Sequence, residues 1–178
     1  GPAYVNKDAI YPHTEVISGL CRRIAQEFAT PFAVDVDVVV GPVVGGVVLS
    51  QWVAWHLSNL LGHEVLAGYA EKDEKGGFIL TRGYDKLVKE KKVLDVEDVL
   101  TTGDSARKVI EVVRANGGDV VGLGALCNRD CVTSQAVGAP PWFFWLLSLQ
   151  LTAWAEADCP LCAQGIPINT DVGKGREF

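Results

Sequence analysis

Hydrophobic residues recur along the chain with two different spacings, which predict two kinds of element. Val16, Leu20, Ile24 and Phe28 follow one another at four-residue intervals with charged residues between them, a pattern typical of an amphipathic helix. Thr14 is the expected N-cap of this helix. Unbroken runs of β-branched and aliphatic residues, bounded by glycine, proline or polar residues, instead predict buried strands.

Helices and strands alternate over most of the chain. The predicted strands are residues 34–40, 66–70, 78–80, 93–96, 120–126 and 142–149, and the predicted helices are residues 16–28, 47–60 and 105–115. Such alternation is typical of βαβ units, which form a mostly parallel sheet with right-handed crossovers. The 178 residues contain no linker and no internal repeat, so we expect an α/β fold in one domain.

Composition narrows the classes of function. The net charge of −6 argues against a nucleic-acid-binding surface, because neutralising phosphates requires clustered lysines and arginines. No apolar run has the length of a membrane span, and the nearest candidate, residues 142–149, is predicted to be a buried strand. The five cysteines are odd in number and irregularly spaced, which favours reduced thiols and a cytoplasmic location over a disulfide framework.

Cys159 and Cys162 form a C-x-x-C motif towards the C-terminal end. This motif occurs in redox dithiols and as half of a zinc site. Only two ligands are supplied and no histidine lies nearby in the sequence, so a metal site would need Cys127 and Cys131 or a second subunit. A metal site is therefore disfavoured.

Residues 93–115 carry the strongest functional pattern. A predicted strand ends in two adjacent acids, Glu97 and Asp98, and a turn rich in hydroxyl groups, residues 101–105, leads into a helix. Ligands of open α/β sheets bind outside the carboxyl ends of the strands. Backbone N–H groups at a helix start suit a phosphate, while carboxylates accept hydrogen bonds from a sugar diol and help to hold hydrated Mg²⁺. A sugar phosphate would suit both the acid pair and the turn at the helix start. The alternative is a pair of solvated acids at the end of a strand, followed by an ordinary helix cap.

The string VEDVLTTGDS resembles the phosphoribosyl-pyrophosphate signature of type I phosphoribosyltransferases, and nearly the whole chain resembles the orotate branch of that family. The resemblance implies a parallel sheet with helices on both faces and a small hood. It also implies that 5-phosphoribosyl-1-pyrophosphate (PRPP) binds together with Mg²⁺, its cofactor, with Glu97 and Asp98 nearby and on the ribose hydroxyls. The implied PRPP-binding residues are Glu97, Asp98, Val99, Leu100, Thr101, Thr102, Gly103, Asp104 and Ser105, of which the last five hold the 5-phosphate. Asp104 is expected to point outward and cap the helix.

A second segment, residues 41–46 (GPVVGG), lies between a predicted strand and a predicted helix. The family has its pyrophosphate loop at this place, so Val44, Gly45 and Gly46 are expected to contact pyrophosphate. Glycines free the backbone to present N–H groups. Some orotate-branch enzymes have a lysine near this position, which is absent here, so the contact would be made by the backbone alone. A plain turn is the alternative.

A third segment, residues 71–77 (EKDEKGG), resembles the family's flexible catalytic loop. Lys72 is the candidate for neutralising charge on the leaving pyrophosphate, with Lys75 or Arg82 assisting. Asp73 is the candidate for proton handling. A solvated, charged hairpin is the alternative.

Residues expected to contact the base lie at both ends of the chain. Arg129 follows predicted strand 120–126, at a place where the orotate branch has a base-binding arginine; a surface arginine is the alternative. Thr101 is also expected to reach the base, and Tyr4 and Val5 stand where the family has an aromatic pair. The family motif L-x-S-G-x-x-S, which precedes that pair, is missing, so we expect the N-terminal base-binding segment to be truncated.

The resemblance implies a pentosyltransferase in which a nucleobase nitrogen displaces pyrophosphate from ribose C1. Orotate, in pyrimidine nucleotide synthesis, is the expected base. Two alternatives remain: a purine phosphoribosyltransferase acting on adenine, hypoxanthine or xanthine, and a non-catalytic regulator of the same fold that senses PRPP. Because related enzymes are usually homodimers, the expected partners are PRPP, a nucleobase and a second copy of the chain, and neither nucleic acid nor a membrane.

Overall fold

Strands and helices alternate along the chain in the computed structural model, which describes residues 3–30, 35–151, 154 and 156–171. The strands are β1 (Val38–Pro42), β2 (Leu66–Lys72), β3 (Phe78–Ile79), β4 (Lys92–Leu100), β5 (Asp119–Arg129) and β6 (Phe143–Leu149). The helices are α1 (Thr14–Phe28), α2 (Gly45–Leu61), α3 (Tyr84–Leu87), α4 (Asp104–Ala115) and α5 (Pro160–Ala163), with short 3-10 turns at Lys7–Ala9 and Glu156–Asp158. None of the helices in the described ranges is both long and apolar enough to cross a membrane.

The strands form one sheet in the order β3-β2-β1-β4-β5-β6. Neighbouring strands are parallel except for β3, which is antiparallel to β2. The chain passes from β1 outward to β2 and then returns to place β4 on the other side of β1. Such a reversal leaves a crevice at the carboxyl ends of β1 and β4, where open α/β sheets bind ligands. The predicted α/β class and parallel sheet are confirmed.

Hydrophobic side chains cover both faces of the sheet. On one face, α1 and α2 bury Ile24 and Leu49 together with Leu94 of β4. On the other face, Val109 of α4 is buried together with Val93 of β4. β4 contributes to both cores because successive side chains of a strand point to opposite faces. This double burial fixes the strand whose end carries the acid pair.

Two predicted helix caps are wrong. Thr14 is the first residue of α1, and the residue before it occupies the N-cap position without a side-chain hydrogen bond. Asp104 is likewise the first residue of α4, and Gly103, with φ 81°, is its N-cap. The Asp104 carboxylate points outward as expected, but it pairs with Arg107 at 2.6 Å and Lys108 at 2.8 Å, because residues three and four apart are neighbours on a helix.

Several strand boundaries differ from the predicted ones. β1 begins at Val38, whereas residue 34, the predicted start, lies outside the described residues. β4 runs past residue 96 to Leu100 and β5 runs past residue 126 to Arg129, because parallel pairing between them continues to their ends. The acid pair is therefore part of a strand and not of a loop.

The predicted loop at residues 71–77 is shorter in the structure. Lys72 still belongs to β2 and pairs with Phe78 of β3, so the connecting turn covers only residues 73–77. Asp73 closes this turn, since its Oδ1 accepts hydrogen bonds from the backbone N–H groups of Lys75 at 2.8 Å and Gly77 at 2.7 Å. The polar residues of the segment form a tight hairpin turn.

Candidate active site

A cavity of about 300 Å³ lies at the carboxyl ends of β1 and β4. Five separate stretches of the chain line it: Tyr4, Val5 and Lys7; Pro42, Val43, Val44 and Gly45; Lys72 and Phe78; Glu97, Asp98, Val99, Thr101 and Ser105; and Arg129. A recess of about 30 Å³ adjoins it, lined additionally by Leu100, Thr102, Gly103 and Asp104. Of the residues expected at a site, Gly46 and Asp73 line neither space. The structure therefore brings nearly all the expected site residues together.

Glu97 and Asp98 lie at the floor of the cavity. Their side chains are almost fully buried, with relative exposures of 7% and 5%. Oδ2 of Asp98 accepts hydrogen bonds from Lys7 Nζ at 2.6 Å and from the Tyr11 hydroxyl at 2.7 Å. Oε1 of Glu97 accepts the backbone N–H of Asp98 at 3.0 Å. Both acids are thus fixed by groups that leave them facing the cavity.

The two acids carry charge unequally. Burial and the neighbouring charge of Asp98 raise the pKa of Glu97 to about 8, so Glu97 is largely protonated at neutral pH. Partial burial lowers the pKa of Lys7, but the hydrogen bond and charge of Asp98 outweigh it, and that pKa rises above 10.5. Asp98 and Lys7 therefore form an ion pair beside a neutral carboxyl, which can both donate and accept hydrogen bonds.

The turn between β4 and α4 lines the small recess beside the cavity. Gly103 has φ 81°, and a Cβ added there would lie 2.8 Å from Val137 and 2.9 Å from Val132, so both its conformation and its surroundings require glycine. Gly103, the N-cap of α4, makes no side-chain hydrogen bond, so backbone N–H groups at the positive end of the helix are available to a ligand, although the N–H of Asp104 donates to Thr102 Oγ1 at 3.4 Å. Hydrogen bonds from Lys108 and Arg107 lower the pKa of Asp104, whose carboxylate they engage.

The glycines between β1 and α2 permit an unusually close approach of backbone. A Cβ on Gly41 would lie 2.6 Å from the carbonyl oxygen of Val96 and 2.9 Å from Cα of Gly46. A Cβ on Gly45 would collide with Oδ2 of Asp98 and the hydroxyl of Tyr11. The glycines therefore bring the start of α2, which also lacks a side-chain cap, against the acid pair.

Charged residues from two other strands complete the rim. Lys72, at the end of β2, lines the cavity. Arg82 pairs instead with Glu71 at 3.2 Å and, like Lys75, does not line the cavity. Arg129, at the end of β5, lines it as well, and its Nε is buried without a hydrogen-bond partner in the described part of the chain. The Asp130 carboxylate lies 3.1 Å from that Nε, a charge contact without hydrogen-bond geometry.

Asn128 stands directly before Arg129 at the end of β5. Its Nδ2 donates to the carbonyl oxygen of Val132 and its Oδ1 accepts the N–H of Val132, both at 2.8 Å. Only an amide can both donate and accept in this way. Asn128 thus closes the turn that follows Arg129 and has a structural reason to be asparagine.

Lys7 and Tyr11 are the site residues that the sequence pattern does not indicate. They contact Asp98 across 91 and 87 residues of chain, and no spacing rule connects positions so far apart. The nearest signal is that Lys7 follows shortly after Tyr4 and Val5.

The cysteines form no metal centre. No group of three or more histidine, cysteine, aspartate or glutamate side chains in the described ranges is arranged to hold a metal ion. No disulfide links the five cysteines, and Cys21 and Cys127 are buried. Cys159 is the N-cap of the short helix α5 and Cys162 lies within that helix; neither lines the cavity.

These features lie at the switch point of a parallel sheet, and the sequence matches the family model for the phosphoribosyl transferase domain over residues 6–137. The chain belongs to this family, as its resemblance predicts. An orotate phosphoribosyltransferase of Thermus thermophilus is 42% identical over 167 residues, which are 94% of this chain and 84% of the relative. An orotate phosphoribosyltransferase of Pelotomaculum thermopropionicum is 39% identical over 158 residues, 89% of this chain and 76% of the relative.

A solved structure has the same fold. The crystal structure of Mycobacterium tuberculosis H37Rv orotate phosphoribosyltransferase in complex with PRPP aligns with a TM-score of 0.61 at 24% sequence identity. The alignment covers 82% of this chain and 80% of that one.

Proposed function

We propose that the chain transfers the phosphoribosyl group of PRPP to orotate, giving orotidine 5′-monophosphate and pyrophosphate. The observation that carries the proposal is the convergence in one cavity of an acid pair, a helix start, a lysine and a partly buried arginine. Each has a complement on PRPP or orotate: a diol, a phosphate, a pyrophosphate and a carboxylate. The similarity to orotate phosphoribosyltransferases over most of the chain supports the same assignment.

The sugar phosphate would lie along the end of β4. In this proposal Glu97 and Asp98 accept hydrogen bonds from the ribose hydroxyls, and residues 101–105 hold the 5-phosphate through backbone N–H groups and hydroxyls. Backbone groups of Val44, Gly45 and Gly46 contact the pyrophosphate. All of these residues except Gly46 line the cavity or its adjoining recess, which supports their proposed roles. Gly46 follows Gly45 in the chain and lines neither space.

The donor set fits a magnesium ion that arrives with the substrate. Mg²⁺ is commonly bound by one or two carboxylates together with substrate phosphates, without a protein cage. Glu97 and Asp98 line the cavity and are the candidate carboxylates, Glu97 once it has given up its proton. When bound, Mg²⁺ neutralises charge on the pyrophosphate.

Bond exchange takes place at ribose C1. The N1 atom of orotate loses its proton and forms the new bond to C1 while the bond from C1 to the pyrophosphate oxygen breaks; pyrophosphate leaves with that electron pair and can accept the proton. Positioning and charge stabilisation are the main contributions of the protein to such a displacement. Lys72 would meet the negative charge on the leaving group, and closure of turn 73–77 would exclude water. Asp73, the proposed proton-handling group, would have to leave its present contacts in that turn to act.

Arg129 favours orotate over a purine. Its side chain is 22% exposed and lines the cavity, where the guanidinium charge suits an anionic ligand. Orotate carries a carboxylate that a guanidinium binds well, whereas adenine, hypoxanthine and xanthine do not. Tyr4, Val5 and Thr101, which also line the cavity, would contact the base. A homodimer in the cytoplasm completes the proposal.

A substrate panel tests the assignment. PRPP and Mg²⁺ are offered with orotate, adenine, hypoxanthine or xanthine in turn, and loss of each base is followed by its ultraviolet absorbance. Turnover of orotate alone supports the proposal, and turnover of a purine alone would refute it. PRPP binding without turnover of any base would identify a regulator.

Calorimetry with site variants tests the role of the acids. Asp98→Asn should weaken PRPP binding by roughly 10- to 100-fold, because a hydrogen bond to a charged group contributes ~1.5–3 kcal/mol. Asp119→Asn, at an exposed position at the far end of β5, is the matched control and should bind as the wild type does. Unchanged affinity in Asp98→Asn would remove this acid from the site.

A further inference from the structure

Two side chains from the N-terminal segment hold Asp98. Lys7 and Tyr11 both donate to its Oδ2, at 2.6 and 2.7 Å, and the backbone N–H of Val99 donates to its Oδ1 at 2.7 Å. Since a carboxylate offers about four acceptor positions, roughly one remains for a ligand. Asp98 therefore faces the cavity with its orientation already determined.

Lys7 and Tyr11 give this carboxylate different kinds of support. Burial and the charge of Asp98 raise the pKa of Tyr11, so its hydroxyl keeps the proton that it donates. Lys7 supplies the counter-charge and is the residue that forms an ion pair with Asp98 in the described part of the chain. A buried carboxylate without a counter-charge is costly, and the neighbouring acid Glu97 adds to that cost.

The surrounding backbone prevents Asp98 from turning elsewhere. There is no room for even a Cβ between Gly45 and the contact of Asp98 with Tyr11. The β1–α2 connection thus closes one side of the carboxylate and Val99 N–H holds the other. Loss of the Lys7 contact would remove the one charged partner from an otherwise crowded pocket.

We propose that Lys7 is a positioning residue for the sugar pyrophosphate, holding Asp98, together with Tyr11, as an oriented carboxylate that accepts a hydrogen bond from the ribose diol. The inference rests on the proposed function and adds a residue to it. Lys7 acts through Asp98 and takes no part in bond exchange. In the alternative, Lys7 competes with the ribose diol for Asp98 and acts as a latch. Removing Lys7 would then strengthen PRPP binding.

The test compares Lys7→Met, Lys7→Arg and Tyr11→Phe with the wild type. PRPP affinity is measured by calorimetry, and KM for each substrate and kcat are measured by the orotate assay. Lys7→Met should weaken PRPP binding and raise its KM by roughly 10- to 100-fold, with KM for orotate and kcat within about threefold of wild type. Lys7→Arg keeps the charge and should recover most of the affinity, whereas Tyr11→Phe should lose a few-fold only, since it removes a neutral donor. Lys86→Met, at an exposed position outside the cavity, is the control and should behave as wild type.

Each outcome decides between the alternatives. Wild-type affinity in Lys7→Met would overturn this inference alone, and tighter binding would identify a latch and overturn it too. A loss of affinity that Lys7→Arg does not recover would overturn the charge-based account. Absence of PRPP binding by the wild-type protein would instead overturn the proposed function. Urea unfolding of every variant distinguishes a local loss from a loss of the folded state, and equal loss of affinity and of stability in both Lys7 variants would also count against positioning.

Discussion

Replacing Asp95 with valine is expected to stabilise the protein. Asp95 lies in the middle of β4, fully buried, and neither of its carboxyl oxygens has a partner with good hydrogen-bond geometry in the described part of the chain, although the backbone N–H of Val96 acts to lower its pKa. Its neighbours across the sheet are Val40 and Leu123, which are also fully buried. An unpaired carboxyl in such surroundings opposes folding, and valine suits a buried strand position.

The gain in stability on replacing Asp95 should increase with pH. Burial, and secondly the charge of Glu97, raise the pKa of Asp95 well above its usual 3.8. The folded state therefore holds this proton more tightly than the unfolded state does. The Asp95 proton therefore contributes to the free energy of unfolding. This contribution is fully present below pH 3.8, and it is lost by ~1.4 kcal/mol for each pH unit as the pH rises towards the folded-state pKa.

Two variants separate the effect of the Asp95 charge on stability from the effect of its polarity. Asp95→Asn cannot ionise, so its stability relative to wild type should grow by ~1.4 kcal/mol per pH unit above about pH 4 and be close to zero below that pH. Asp95→Val also removes a buried polar group without a partner and should gain a further ~1–3 kcal/mol at every pH.

Urea unfolding followed by tryptophan fluorescence, from about pH 3.5 to 7, measures both effects. Asp119→Asn, which replaces an exposed aspartate, controls for the change in net charge. Parallel stability curves for wild type and Asp95→Asn would refute the reasoning, as would a valine variant less stable than wild type at pH 7. Either result would mean that the charged form of Asp95 has a stabilising partner.

Two further substitutions test the walls of the cavity. Gly45→Ala should weaken PRPP binding by at least tenfold in calorimetry, because its Cβ would collide with Asp98 and Tyr11, whereas Gly19→Ala, with open space around the added Cβ, should leave binding unchanged. Arg129→Met should raise KM for orotate by roughly 10- to 100-fold and leave KM for PRPP nearly unchanged, since a charge-assisted hydrogen bond to the base is removed; an equal rise in both KM values would place Arg129 outside the base site.

Local patterns in the sequence were sufficient for the order of elements and for the acid-rich strand end. Alternating runs predict the parallel sheet because a buried parallel strand needs apolar residues on both faces. The strand boundaries were less predictable, because Glu97 and Asp98 look like loop residues by composition. They remain in β4 because pairing with β5 continues beyond them, and pairing between strands is a tertiary property.

The contacts of the N-terminal segment could not be predicted from spacing. Lys7 and Tyr11 meet Asp98 only after the sheet has formed and α1 has packed on it. The glycines of residues 41–46 were predicted as a loop for a ligand, but Gly41 and Gly46 chiefly allow two backbone segments to touch. Residue type indicated the right place for the glycines only, and the reason for each glycine depends on packing.

The three acids of β4 show how stability and binding compete on one strand. Asp95, Glu97 and Asp98 are all buried, yet only Asp98 has a cation beside it in the described structure. Perturbed acids that face a cavity are typical of functional sites, whereas Asp95 lies beneath the cavity lining. If Asp95→Val gains stability and keeps PRPP affinity, its carboxyl is a cost separate from the site. If PRPP affinity falls while stability rises, Asp95 must influence Glu97 through the electrostatic interaction between their carboxyl groups. The functional site would then include Asp95 as well as the residues that line the cavity.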